Sequence, residues 1–377
     1  MDPEINTFVE QVDQRAITDL VRRLKSSNTI EVKDWQYRLL YSHCNAHCVS
    51  EVYTFSGTGW DRGIPNSWQL ILKIWRGVTT GLDDTNVLLR ELFAYESGLL
   101  EQPASGLSAP RCLGAAQLRD HLSWLWLEHI THENLSTWTP SRYGLAARHL
   151  GAFNGAYLLR HKLPTYPWLN KKWTRQWVSE ATTAIAHLHK SLDHPLIARA
   201  YPASNVEGLM SIYADRDKLL GALEDLPQTL CHNDAFRRNL FAHVAADGTD
   251  CTVAVDWALV GIGAIGEEIA PLIAEIDPSL SLETDTSIFE GYINGLRDAG
   301  WYGQPYLARL GYLLTAALRY VLGSTRVILE LALNENRHIL MRQRKGLSIE
   351  DAMSYFAETQ RFLLSLADEA RTLLKRL

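Results

Sequence analysis

The chain has 377 residues, 46% of them hydrophobic and 21% charged, and a formal net charge of −6. That is enough apolar material for one large or two modest cores, and the acidic balance, with no Lys/Arg block, argues against a nucleic-acid surface. The start, Met1-Asp2-Pro3-Glu4, is acidic where a signal peptide is basic, and no apolar run nears the ~18 residues that span a bilayer. A cytoplasmic chain without a membrane segment is therefore expected, its five cysteines reduced rather than paired in a disulfide framework.

In chain order, Phe8, Val9, Val12, Ile17, Leu20, Val21 and Leu24 recur at helical spacing and predict one amphipathic helix from about residue 8 to 25. Strands are expected to dominate from about 49 to 128. Val52-Tyr53-Thr54-Phe55 alternates ahead of Gly57-Thr58-Gly59, and Trp68 to Trp75 reads as a strand by its apolar and aromatic content. Period two sets Lys73 on the face of Ile71 and Trp75, where an ammonium among apolar side chains should seek an anion. A helix beginning near Asp83-Asp84-Thr85 carries Leu88, Leu92, Tyr95 and Leu99 as one stripe; Glu91 and Glu96 flank it on opposite sides, so geometry alone does not choose Lys73's carboxylate. Leu122 to Ile130 reads as a strand running into a connector. After Pro140 the pattern turns helical, over 143–161, 173–190 and 206–223, and again beyond Glu267. A β-rich domain over 1–128 and a larger helical one over 129–377 follow, an α+β chain with no internal repeat.

Two segments interrupt the helices and carry the chemistry. Cys231-His232-Asn233-Asp234-Ala235-Phe236-Arg237-Arg238-Asn239-Leu240 is a polar loop, and the short β-branched run Thr252-Val253-Ala254-Val255 predicts a buried strand delivering Asp256 at its exit. Phosphoryl transfer needs charge and position rather than covalent work from the protein. Asp234 is the candidate for accepting or orienting an acceptor hydroxyl's proton. Asn239 and Asp256 are hard oxygen donors of the kind that holds Mg²⁺ together with phosphate and water. His232 is read as a structural hydrogen-bonding residue, and Arg237 and Arg238 as contacts either to a phosphoryl group or to a surface carboxylate. His43-Cys44 and His47-Cys48 offer soft-metal ligand types, but four ligands crowded into six residues make an awkward tetrahedral cage.

At these residues the chain resembles the aminoglycoside phosphotransferase family, within the small-molecule kinases of protein-kinase-like fold. His232, Asp234 and Asn239 match its H-x-D-x-x-x-x-N signature, and Val255, Asp256 and Trp257 its later I/V-D-W/F-E element, with Ala258 where an acid is frequent. Gly266 to Ala270 is similar to the helix start that follows the metal Asp, with Glu268 where Asp is commoner. The resemblance implies two lobes, a β-rich N-terminal one and a larger helical C-terminal one, with ATP and Mg²⁺ as cofactors. It implies Asp234 as base, Asn239 and Asp256 as metal ligands, and Lys73 on the α/β-phosphates. Arg90-Glu91 ahead of an apolar pair and Tyr95 favours Glu91 as the lysine's partner, with Glu96 still a rival. The connector from Glu128 to Ile130 matches the hinge whose backbone reads the adenine edge. Ser42 to Val49, which aligns with the family's nucleotide loop, has no glycine, so the phosphate-covering loop is unassigned.

The expected activity is transfer of the γ-phosphoryl group to a hydroxyl of an aminoglycoside-like, sugar or other small natural-product acceptor; the competing reading is a non-catalytic nucleotide-binding or ligand-sensing module. Trp257 in place of Phe-Gly, and too short a segment before the next helix to dock a peptide, argue against a protein kinase. Trp168, Trp173, Trp177 and Trp301 are candidates for stacking on a sugar, and Asp285, Glu330 and Glu335 for meeting an amine; with 12 Trp in the chain, aromatic content selects none of them.

Overall fold

A computed structural model describes residues 2–376 except 45–47, 78–84, 102–105, 119–121, 132–137 and 246–247. The chain divides into two compact units, one of 1–103, 108–134 and 241–259, the other of 104–107, 135–240 and 260–377.

The first unit is built on a five-stranded antiparallel sheet, in spatial order Ile30–Cys44, Cys48–Asp61, Ile64–Gly77, Leu122–Glu128 and Cys112–Leu118. Strict alternation governs the central strand: Trp68, Leu70, Leu72 and Ile74 are buried against Ile17, Val21, Phe55 and Trp126. Each fully buried Leu or Ile is worth about 1.5–3 kcal/mol over its exposed state, so a one-residue slip that turned these side chains out would be prohibitive. The same alternation fixes Gln69, Ile71 and Lys73 on the other face, where Trp75, Leu125 and Leu127 pack with Leu92 and Tyr95 of the helix Thr85–Glu96.

Two expectations are corrected in this unit. The N-terminal segment forms two helices, Pro3–Glu10 and Gln14–Lys25, because Asp2 and Asp13 each cap a new start; Asp13 accepts the Ala16 N–H at 2.7 Å. Strand structure begins at Ile30 rather than near 49, and bulges at Val32/Asp34 and Leu39/Tyr41 break the alternation that would have announced it. The second strand continues through Gly57-Thr58-Gly59 to Asp61, and the turn falls at Arg62-Gly63. Gly57 is required by packing: a Cβ there would lie 2.6 Å from the Asp34 carbonyl oxygen and 2.8 Å from the Trp68 ring.

In the second unit the long helices are Pro140–Leu159, Trp173–Ser191, Ala203–Glu224, Ser281–Asp298, Pro305–Thr315 and Ile349–Leu374. Thr139 caps the first of these ahead of a proline that needs no N–H partner, and Ser348 caps the last by accepting the Asp351 N–H at 3.0 Å. Pro140–Leu159 lies backbone to backbone on Ser281–Asp298, where a Cβ on Gly151 would strike the Tyr292 carbonyl. That approach brings the Tyr292 hydroxyl to Asn154 at 2.7 Å, and Asn154 in turn donates to the Leu230 carbonyl at 2.8 Å. Leu230 belongs to the strand Gln228–Cys231, paired with Gly261–Ala264, so a fully satisfied buried polar chain anchors the strand that feeds the polar loop. The α+β expectation holds: a sheet-based unit and a larger, mainly helical one.

Candidate functional site

Within the first unit Lys73 meets two carboxylates. Its Nζ lies 2.6 Å from Glu91 Oε2 and 3.0 Å from Asp256 Oδ1. Burial alone would drive the ammonium toward neutrality, but the charges of Asp256 and Glu91 outweigh it and hold the Lys73 pKa above the ordinary lysine value. Glu91 shows the reverse balance: burial, helped by the Asp256 charge, raises its pKa against the pull of Lys73. The two acids differ in access. Glu91 has 1% of its side chain exposed and also accepts the Trp257 N–H at 3.3 Å, whereas the Asp256 side chain is 46% exposed. Glu91 is thus an internal counter-ion, and Asp256 is the acid that can reach a ligand. Glu96, its sequence rival, is exposed.

Asp256 leaves the strand Asp250–Ala254, whose Thr252, Val253 and Ala254 are buried as the apolar run requires. Its φ of +66° is left-handed, and Arg90, beside Glu91, donates to the Ala258 carbonyl at 2.9 Å and ties the helix to the turn. Of four non-glycine residues with positive φ among those described, two are Asn233 (+63°) and Asp256. Such conformations cost of order 1–3 kcal/mol and gather at functional sites.

Within the second unit the loop after Cys231 folds around Asp234. The one-turn helix Arg237–Asn239 bends the chain back, so that Asn239 Nδ2 donates to Asp234 Oδ2 at 2.7 Å and to its carbonyl at 2.9 Å. With the amide nitrogen committed, the carbonyl oxygen of Asn239 is the atom that fits a hard cation. His232 accepts the Asp234 backbone N–H at Nδ1, 3.1 Å away, and the His232 backbone N–H donates to Glu268 Oε2 at 2.6 Å. Burial pushes the Glu268 carboxyl up to about 8 in spite of that N–H. Arg237 lies over the Trp138 ring and donates to the Leu240 carbonyl; Arg238 pairs with Glu275 at 2.6 Å and lies 3.8 Å from Asp234.

Arg319 escaped the sequence reading. Its Nη1 donates to the Asn233 carbonyl at 2.6 Å and its Nη2 lies 3.6 Å from Asp234 Oδ1. The available signal was a lone charge in the apolar stretch from Leu310 to Thr325.

The hinge candidates carry no side-chain signature. Glu128 pairs at 2.8 Å with Arg111, the residue just before the strand Cys112–Leu118, and Ile130 is half-buried beyond the strand end. On the Lys73 face of the sheet a cavity of about 300 Å³ is lined by Gln36, Arg38, Thr54, Ser56, Gln69 and His129. Residues 45–47, within the segment that aligns with the family's nucleotide loop, and the Asp83-Asp84 helix start lie outside the described residues, as do the side chains of Cys44, Cys48 and Leu88. Asp285 is taken by a bidentate pair with Arg309 at 2.8 and 2.9 Å, and Glu330 lies 3.7 Å from Arg337.

The phosphotransferase enzyme family model matches residues 89–305. No curated protein sequence matches the chain. Solved structures similar to it include a spectinomycin phosphotransferase in complex with ADP and spectinomycin, 12% identical over 96% of this chain and 99% of that one, with a TM-score of 0.48. An amicoumacin kinase in complex with AMP-PNP, Ca²⁺ and Ami is 15% identical over 97% and 96%, with a TM-score of 0.48. A choline kinase from Cryptosporidium parvum Iowa II is 13% identical over 97% of each chain, with a TM-score of 0.46.

Proposed function

The chain belongs to the phosphotransferase enzyme family, and from that premise we propose that it transfers the γ-phosphoryl group of ATP to a hydroxyl of a small natural-product, sugar or aminoglycoside-like acceptor. The observation that carries the proposal is the unequal pair of acids on Lys73: one sealed in the protein, the other half open at a left-handed turn. A lysine needed only for packing would not require two acids, whereas one that must hold a polyanion needs a fixed counter-ion to orient it.

In this reading Lys73, oriented by Glu91, binds the α/β-phosphates, and the backbone at Glu128 and Ile130 meets the adenine. Mg²⁺ would be held by Asp256 and the Asn239 carbonyl oxygen and would neutralise phosphate charge when bound. Asp234 accepts the proton that the acceptor hydroxyl loses as its oxygen bonds to the γ-phosphorus and ADP departs. Asn239 fixes one oxygen of that carboxylate, which leaves the other for the hydroxyl.

The test is ADP release from Mg-ATP across a library of amino sugars, aminoglycosides, sugars and amino alcohols, for the wild type and Asp234→Ala. An acceptor-dependent signal that disappears in the variant, with Mg-ADP binding retained, is the expected result. Full transfer by the variant would remove Asp234 as base, and nucleotide binding with no turnover on any acceptor would favour a sensing module.

A further inference from the structure

Arg319 is a cation 9% exposed, on the π-helical stretch Ala316–Leu322 that continues Pro305–Thr315. Irregular turns of this kind are often retained where function needs a side chain re-aimed. Its guanidinium carbon lies 3.4 Å from the Trp177 ring centroid and 5.1 Å from that of Tyr320. One nitrogen holds the carbonyl of Asn233, the left-handed residue immediately before Asp234, and another faces Asp234 Oδ1 at 3.6 Å. Removing a guanidinium from water costs several kcal/mol, and an apolar side chain would fill the same volume without that cost.

We propose that Arg319 is a positioning residue for phosphoryl transfer: it pins the Asn233 carbonyl and so holds Asp234 with Oδ1 turned toward the acceptor. This rests on the reading of Asp234 as base. The two oxygens of Asp234 are treated differently. Oδ2 accepts a 2.7 Å hydrogen bond from Asn239, while the 3.6 Å approach of Arg319 to Oδ1 attracts without filling its lone pairs. A carboxylate held this way keeps one oxygen able to receive a proton. Trp177, a candidate sugar platform by sequence, instead supports this guanidinium and packs beside Trp173, ring centroids 5.4 Å apart.

The experiment compares Arg319→Met, Arg319→Lys and Asp234→Asn. Turnover is measured with the acceptor found by the ADP-release screen and is normalised to the number of Mg-ADP sites titrated. The expected result is a fall of about 10²-fold in kcat per site for R319M, KM for Mg-ATP and for acceptor within about twofold, and recovery of about tenfold in R319K. Crystal structures of R319M and R319K with Mg-ADP supply a readout that needs no acceptor: Asn233 should leave its left-handed conformation in the first and keep it in the second. An unchanged loop in R319M overturns the inference, as does wild-type kcat per site with fewer binding sites, which would make Arg319 a fold staple only. A raised acceptor KM with kcat spared overturns it in favour of substrate contact. If D234N turns over normally, the base reading itself has failed; if D234N is inactive and R319M is not, only the role of Arg319 has.

Discussion

The two charged clusters are built on opposite plans. Around Lys73 two carboxylates share one cation; around Asp234 one carboxylate is met by an amide at 2.7 Å and by two guanidinium groups at 3.6 and 3.8 Å. The first has more negative charge than its lysine neutralises, and its more open acid is the one at the strand end, which suits a cation-bound polyanion. The second is a single acid held in orientation, which suits the handling of one proton. A cluster that must gather charge is acid-rich, and a cluster that must aim one atom is donor-rich.

The sharpest way to break this contrast is to remove each cluster's central group. Asp234→Ala should lower kcat by about 10²–10⁴-fold, the usual span for a general base, and leave Mg-ATP binding intact in calorimetry. Lys73→Met should act on both function and fold. It strands the buried Glu91, which costs about 3–5 kcal/mol in urea unfolding when one partner of such a pair is removed, and it weakens Mg-ATP binding about 10–100-fold. The double variant Lys73→Met/Glu91→Gln leaves no buried charge there and should regain most of the stability and none of the nucleotide affinity. If stability does not return, Glu91 is not the sealed counter-ion described above.

How much of this was legible in the sequence divides along the same line. Asp234 and Asn239 lie on one short loop, and Lys73 could be placed by strand alternation, so chain-local spacing carried them. The choice of Glu91 over Glu96 depended on the face to which the helix turns, which the stripe left open. The strand Ile30–Cys44 was illegible because two bulges interrupt its period, and the break at Gln11-Val12-Asp13 because the apolar spacing runs on across it. Arg319 meets Asn233 86 positions away, through an irregular helical stretch that no periodicity announces. What the chain writes locally can be read; what tertiary packing aims cannot.

Glu268 gives a smaller effect with a definite sign. Its folded pKa of about 8 lies above the ordinary 4.5, so the native state holds a proton that the unfolded chain has released between those values. Stability from this group is complete below about pH 4.5, declines as pH rises toward 8, and is level beyond. Glu268→Gln keeps a carbonyl oxygen for the His232 N–H and has nothing to ionise. Thermal melts should therefore show the variant matching the wild type near pH 5 and exceeding it above pH 8, with turnover little changed. A wild-type advantage that widens with pH would mean the acid is held charged.

The smallest expected effect is also the cleanest check on the acid-rich cluster. Glu91 and Glu96 are five positions apart, which at about 100° per residue sets them roughly 140° apart around the helix, so one helix cannot aim both at Lys73. The helix turns Glu91 inward, with Leu92 and Tyr95, and leaves Glu96 exposed. Glu96→Gln should change unfolding free energy by no more than about 0.5 kcal/mol and leave KM for Mg-ATP at its wild-type value. Glu91→Gln, by contrast, leaves Lys73 with Asp256 alone, the same acid proposed above to hold the metal, and should raise KM for Mg-ATP. Equal effects from the two substitutions would mean that neither carboxylate orients the lysine, and the asymmetry between sealed and open acid would lose its meaning.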